Sequence, residues 1–254
     1  MMSKNQSYQD DVEQSCLDFV KNNMSDENFF GLSNKQHIEL RNWINEAKPN
    51  FDNNFPDFVF NDGFIEHFAV TSSAEDRKGA KQKRESNVFK NKSETNFLSN
   101  FDSIKEGEML FSDSYGRKFE EHTHFNIIKS VKKNWLKHIE SYDKNISSPR
   151  KGIFLIEYTD INIQTAVSRN NEPAEIFDTY RISVDRQLLE WIYIFKEKID
   201  YVIFINIVSS SIEIIRIDQI PELIKEILDV WYAPIVGMES HKYAGFKIRE
   251  DNNQ

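Results

Sequence analysis

Phe55-Pro56-Asp57-Phe58-Val59-Phe60-Asn61-Asp62-Gly63-Phe64-Ile65-Glu66-His67-Phe68-Ala69-Val70-Thr71 is the stretch on which the reading of the chain turns. Two apolar runs flank Asn61-Asp62-Gly63. Asp-Gly at such a junction favours a tight hairpin, because glycine takes φ > 0 without steric cost. Each strand carries one acid among apolar neighbours, Asp57 and Glu66. Closing the hairpin brings an acid early in the first strand to an acid late in the second. Two carboxylates held that close are costly to ionise together without a cation between them. This is the pattern of a divalent-metal site.

Upstream, residues 10–23 have helical spacing, with Val12, Cys16, Phe19 and Val20 on one side. Ser33 or Asn34 caps a second helix that runs to Ala47 and buries Leu40, Trp43, Ile44 and Ala47. Glu39 and Glu46 share its other face, and Pro49 with the Asn-rich residues 50–54 ends it. Downstream, residues 72–118 break the apolar pattern. Residues 74–92 hold Arg77, Lys78, Lys81, Lys83, Arg84, Lys90 and Lys92 against Glu75, Asp76 and Glu85. Such a basic island, directly after a metal hairpin, suits phosphate binding; it reads equally as a flexible charged loop.

A long helix over residues 119–142 follows, with Ile127, Ile128, Val131, Trp135, Ile139 and Tyr142 as its apolar stripe. Lys129, Lys133 and Lys137, with Lys132 beside them, form a basic stripe. It is a solvated face, or a face against a nucleic-acid backbone, or a source of one lysine reaching into the site. Residues 152–158 read as a buried strand, followed by an irregular stretch. A helix starts at Ser183 or Asp185, strands follow over 201–208 and 212–217, and a last helix runs from Pro221 to about Tyr232. Residues 239–254 read as a polar tail. The organisation is therefore an N-terminal helical extension (1–32), one α/β domain (33–238) and the tail.

Composition narrows the function classes. The chain has 254 residues, 39% of them apolar, including 20 phenylalanines, enough to build a substantial core. A net charge of −9 argues against a protein that coats nucleic acid non-specifically, but not against an enzyme with a local basic groove. No apolar run reaches membrane-span length, and the polar residues 1–11 lack a signal-peptide core, so the cytoplasm is the expected compartment. One cysteine, Cys16, leaves no internal disulfide and no cysteine metal cluster. His122 and His124 on a helix would point about 200° apart, and no further histidine or cysteine completes a zinc set. His67 lies on the face opposite Glu66 and reads as an ordinary core or surface histidine. Ser72-Ser73 lacks a nucleophile-elbow context, and eight glycines include no phosphate-binding loop.

Pro56-Asp57 on one strand, and Glu66-His67-Phe68 where an acid-x-Lys triplet belongs on its partner, resemble the core of the PD-(D/E)XK nuclease superfamily. The resemblance implies a restriction-endonuclease-like α/β fold, a central mixed sheet flanked by helices. It implies an Mg2+ or Mn2+ site at Asp57 and Glu66, with a further glutamate from the preceding helix; Glu39 holds that position and Glu46 comes second. It implies hydrolysis of phosphodiester bonds in nucleic acid, DNA foremost, by a homodimer or with a partner subunit. Phe68 stands where the family has its lysine. Lys78, Lys81 and Lys129 are the replacements that position offers. The alternative is a non-catalytic nucleic-acid-binding or structural subunit that keeps the fold.

Overall fold

Caps and apolar stripes set the helices. The structure, a computed structural model, describes residues 4–30, 33–50, 55–61, 63–73, 79–117, 122–145, 151–168, 174–227, 229–234 and 238–248. In chain order the elements are α1 (Lys4–Asn23), β1 (Phe29–Phe30), α2 (Asn34–Glu46), β2 (Lys48–Pro49), β3 (Phe58–Phe60) and β4 (Gly63–Val70). Next come α3 (Gly79–Ser103), β5 (Met109–Arg117), α4 (His124–Asn145), β6 (Lys151–Tyr158), β7 (Ile163–Ser168) and β8 (Glu175–Phe177). The chain closes with α5 (Arg186–Ile192), β9 (Tyr201–Asn206), β10 (Ser211–Arg216), α6 (Ile220–Glu226), β11 (Asp229–Pro234) and β12 (Met238–Phe246). Ser33 precedes α2, and its N–H donates to Gln36 Oε1 at 2.8 Å, the return half of a capping box. Asp185 caps α5 by accepting from the Leu188 N–H at 3.0 Å.

The chain divides into two compact units. The first, Met1–Ser72 with His122–Ile235, is built on a seven-stranded mixed sheet in the order β1-β10-β9-β6-β4-β3-β2. β4, β6 and β9 run parallel, while β2, β3 and β4 form an antiparallel meander. Strand alternation splits the core in two. Cys16, Leu17, Leu40 and Ile44 of α1 and α2 pack with Phe58, Ile65, Ile153 and Leu155 on one face. Ile127, Val131 and Trp135 of α4, with Leu188 and Leu189 of α5, pack with Phe64, Phe68, Phe154 and Ile156 on the other. A small sheet, β11-β7-β8, completes this unit.

The second unit, Ser73–Glu121 with Val236–Gln254, is α3 with the two-stranded sheet β5-β12. Phe97 stacks on Tyr243 at 5.3 Å. Gly245 is required there by close approach, since a Cβ would fall 2.6 Å from the Phe101 ring.

Several sequence expectations are corrected. Residues 79–92 of the basic island, read equally as a charged loop, form the first part of a 25-residue helix; residues 74–78 lie outside the described residues. The polar tail contains β12, and the irregular stretch contains β7 and β8. The last helix stops at Glu226, because residues 229–234 pair with β7 as a strand. Gly63 lies in β4, not at a left-handed turn position: Phe60 pairs with Gly63, and a Cβ there would sit 2.7 Å from the Lys151 carbonyl. Among the described residues no helix is long and apolar enough to cross a membrane.

Candidate metal centre

β3 pairs with β4 only through Gly63, Phe64 and Ile65. Beyond that, from Glu66 to Val70, β4 has β6 on one edge and no strand partner on the other among the described residues. Backbone N–H groups on an open, buried edge need other acceptors. Asp57 supplies one: the His67 N–H donates to Asp57 Oδ2 at 2.7 Å. In return the Asp57 N–H donates to Glu66 Oε2 at 3.1 Å. Side-chain carboxylates thus take over where the β3–β4 ladder stops, and this crossing-over brings the two acids together.

Glu66 is only 3% exposed. Its Oε1 lies 2.5 Å from His138 Nδ1 on α4, and its carboxyl is hydrogen-bonded to that of Asp57. Burial pushes Asp57 up to about 8, and the charges of Glu66 and Glu13 add to the effect. Burial also raises Glu66 to about 8, against the lowering hydrogen bond from the Asp57 N–H; Glu13 raises it further. His138 is pushed down to about 4 by burial and by the nearby Lys137 charge. Burial therefore favours a neutral carboxyl donating to a neutral imidazole across the 2.5 Å contact.

Asp57 and Glu66 are brought together, but Glu39 is not. Its carboxylate pairs with Lys151 Nζ at 3.3 Å, and Lys151 lies in register with Gly63, three residues before Glu66. Glu46 is exposed at the end of α2. The third carboxylate is Glu13 on α1, 9% exposed, whose charge acts on both acids. Lys78 lies outside the described residues, and Lys81 falls in the first turn of α3 in the second unit. Lys129 is exposed and two turns before Lys137 on α4; Lys137 is the lysine whose charge acts on Glu66. Comparison of the chain with protein-family models, curated proteins and solved structures finds no match.

Sequence reasoning missed Glu13, His138 and the choice of Lys137. A signal existed for the first. Glu13 falls one turn before Cys16 and Leu17, so an acid sits on the buried stripe of α1. His138 is three residues after Trp135 and next to Ile139, at the margin of the apolar face of α4.

Phe68 fills the space next to the carboxyls. It is 5% exposed, its ring stacks on His138 at 4.9 Å and meets Phe154 edge-on at 5.5 Å. Phe68→Lys, which restores the acid-x-Lys pattern, therefore removes a packed ring and places an ammonium in an apolar wall. The expected cost is roughly 3 kcal/mol, a fall in Tm on the order of 10 °C by thermal denaturation. An unchanged Tm would mean that the site is built to accept a lysine there.

Ser72, His122 and Asp160 also lie together, where the chain leaves and re-enters the first unit. This is not a nucleophile. Ser72 is fully buried, its Oγ donates to Asp160 Oδ1 at 2.6 Å, and Tyr158 OH donates to the same oxygen. Burial would raise the Asp160 carboxyl, but these hydrogen bonds outweigh it and hold it low. The network pins the two crossings, with the Thr123 N–H donating to the Ser72 carbonyl at 3.0 Å.

Proposed function

We propose that this protein is an Mg2+- or Mn2+-dependent nuclease that hydrolyses phosphodiester bonds in nucleic acid, DNA foremost, on a restriction-endonuclease-like scaffold. The observation that carries this reading is the pairing of half-buried Asp57 with buried Glu66 on the open edge of β4. The element order supports it: α2, the meander β2-β3-β4, the crossover helix α4 and the parallel strand β6 follow the helix, hairpin, helix, strand order of that core.

The residues fit a hard divalent cation. Asp57, Glu66 and Glu13 offer only oxygen donors, and a cation offsets both the burial that raises Asp57 and Glu66 and the added charge of Glu13. Asp57 and Glu66 would hold the ion, with Glu13 behind them. When bound, such an ion polarises the phosphoryl group and lowers the pKa of a water. The chain's own groups do the rest. His138 fixes the orientation of Glu66 through the Nδ1 contact with its Oε1. Lys137 adds positive charge on the side of Glu66, where charge on the phosphoryl oxygens needs a partner. The Phe68 ring stacks on His138 and so helps hold its imidazole against Glu66. Double-strand scission would require a homodimer or a partner subunit.

A second reading, a non-catalytic subunit with the same scaffold, is favoured by Phe68 in place of the motif lysine. Incubation with double-stranded DNA, single-stranded DNA and RNA, in Mg2+ or Mn2+ and in EDTA, separates the two. Cleavage with the cation and none in EDTA is the expected result. No cleavage of any substrate decides for the non-catalytic subunit.

A further inference from the structure

We propose a second metal site, for a borderline transition-metal cation such as Zn2+, formed by Cys16, His67 and Glu157. It lies on the α1 face of the sheet. His67 pairs with Leu155 and Ala69 with Glu157, so His67 and Glu157 stand on adjacent strands, two positions apart on the same face. Cys16 of α1 packs above them. One ligand atom from each residue lies within 4.8 Å of the other two. Tetrahedral Zn2+, with bonds of about 2.0–2.3 Å, brings donors a little closer than this, within reach of small side-chain rotations.

The sequence dismisses zinc because His122 and His124 point apart and no further histidine or cysteine completes a set, with Cys16 alone and His67 read as a core or surface histidine. Two observations reverse that. His67 is 8% exposed, and its Nε2 is buried with no hydrogen-bond partner; Glu157 Oε2 is 3.6 Å away. A buried imidazole nitrogen without a hydrogen bond is costly, and a cation between it and Glu157 removes the cost. Cys16 is fully buried and its thiol is hydrogen-bonded to Glu157, so sulfur and carboxylate already converge.

The charge balance suits a buried ion. On binding, the thiol proton leaves to solvent and the sulfur bonds to the metal. A thiolate and a carboxylate then cancel the 2+ charge, with the imidazole neutral. Thiolate and imidazole select Zn2+ over Mg2+, whereas the all-oxygen set of Asp57, Glu66 and Glu13 selects the reverse. The fourth position falls to water. The site ties α1 to β4 and β6 and so fixes where Glu13 stands. It does not depend on the nuclease reading.

The test uses the full chain, stripped of metal with a chelator and titrated with Co2+. One equivalent is expected to give a thiolate-to-cobalt charge-transfer band and the intense visible bands of tetrahedral Co2+, bleached by Zn2+. Cys16→Ala abolishes the charge-transfer band, and Asp57→Asn keeps it. Glu157→Gln, which preserves shape should the cysteine variant misfold, weakens Zn2+ binding by more than the roughly tenfold seen when a metal's outer-shell partner is lost. A wild type without the band, a band that survives in Cys16→Ala, Zn2+ affinity unchanged in Glu157→Gln, or loss of the band in Asp57→Asn would each overturn the proposal.

Discussion

Asp57→Asn is expected to lower Mg2+-dependent cleavage by roughly 10³-fold or more while raising the thermal stability of the metal-free protein. The loss follows from charge. Asp57 is one of the two acids that would hold the ion, and asparagine offers the same shape without the negative charge. The gain follows from burial. Asparagine Oδ1 still accepts from the His67 N–H, and its amide can donate to Glu66. The pH dependence has a definite sign. The folded pKa of Asp57 is raised to about 8 from an ordinary value near 3.8, so the folded state holds the proton more tightly than the unfolded. That contribution to stability is complete below the ordinary value and is lost as pH rises through about 8. The Tm advantage of the variant over wild type therefore grows between pH 5 and pH 9. A variant that cleaves like wild type would put the active site elsewhere. One that is less stable at every pH would make Asp57 a structural residue.

Lys137→Ala should reduce cleavage by about 10²-fold with metal affinity nearly intact. Lys137 is exposed on α4, so its removal costs the fold little, and its charge acts on Glu66 and His138. It sits across the site from β4, where a lysine at position 68 is blocked by the packed Phe68 ring. Lys129→Ala, two turns away, serves as the control and should leave the rate within a few-fold of wild type. Equal losses in the two variants would mean that the lysine stripe acts only as a diffuse field, and cleavage would then rise as salt is lowered for both.

The parts of the fold that were legible are those where one local rule acts alone. The β4, β6, β9 and β10 strands are short runs of buried aliphatic and aromatic residues, and α2 and α4 have caps or wide apolar stripes. The second unit was not legible, because α3 has only a thin apolar line. Phe89, Phe97 and Phe101 are spaced by eight and four residues in a polar helix, and their cover, β12, arrives well over a hundred residues later. At the site, Asp57 and Glu66 were readable because hairpin closure is local. Glu13 was legible only as an acid on the buried stripe of α1, since its approach to the pair depends on how α1 packs on the sheet face. Glu39 satisfied every local requirement and still turned to Lys151, an ion pair that only the sheet register reveals. Cys16, His67 and Glu157 come from three separate elements, so no spacing rule joins them.

Calorimetric titration of the full chain with Mg2+ tests the central claim most directly, because the hard cation discriminates against the thiol site and needs no substrate. The account predicts Mg2+ binding by wild type with release of protons to the buffer, since the two acids must ionise to hold the ion. Asp57→Asn and Glu66→Gln should each abolish it, while Glu39→Gln leaves it unchanged. Absence of Mg2+ binding by wild type, or binding that persists in both carboxylate variants, would contradict the account.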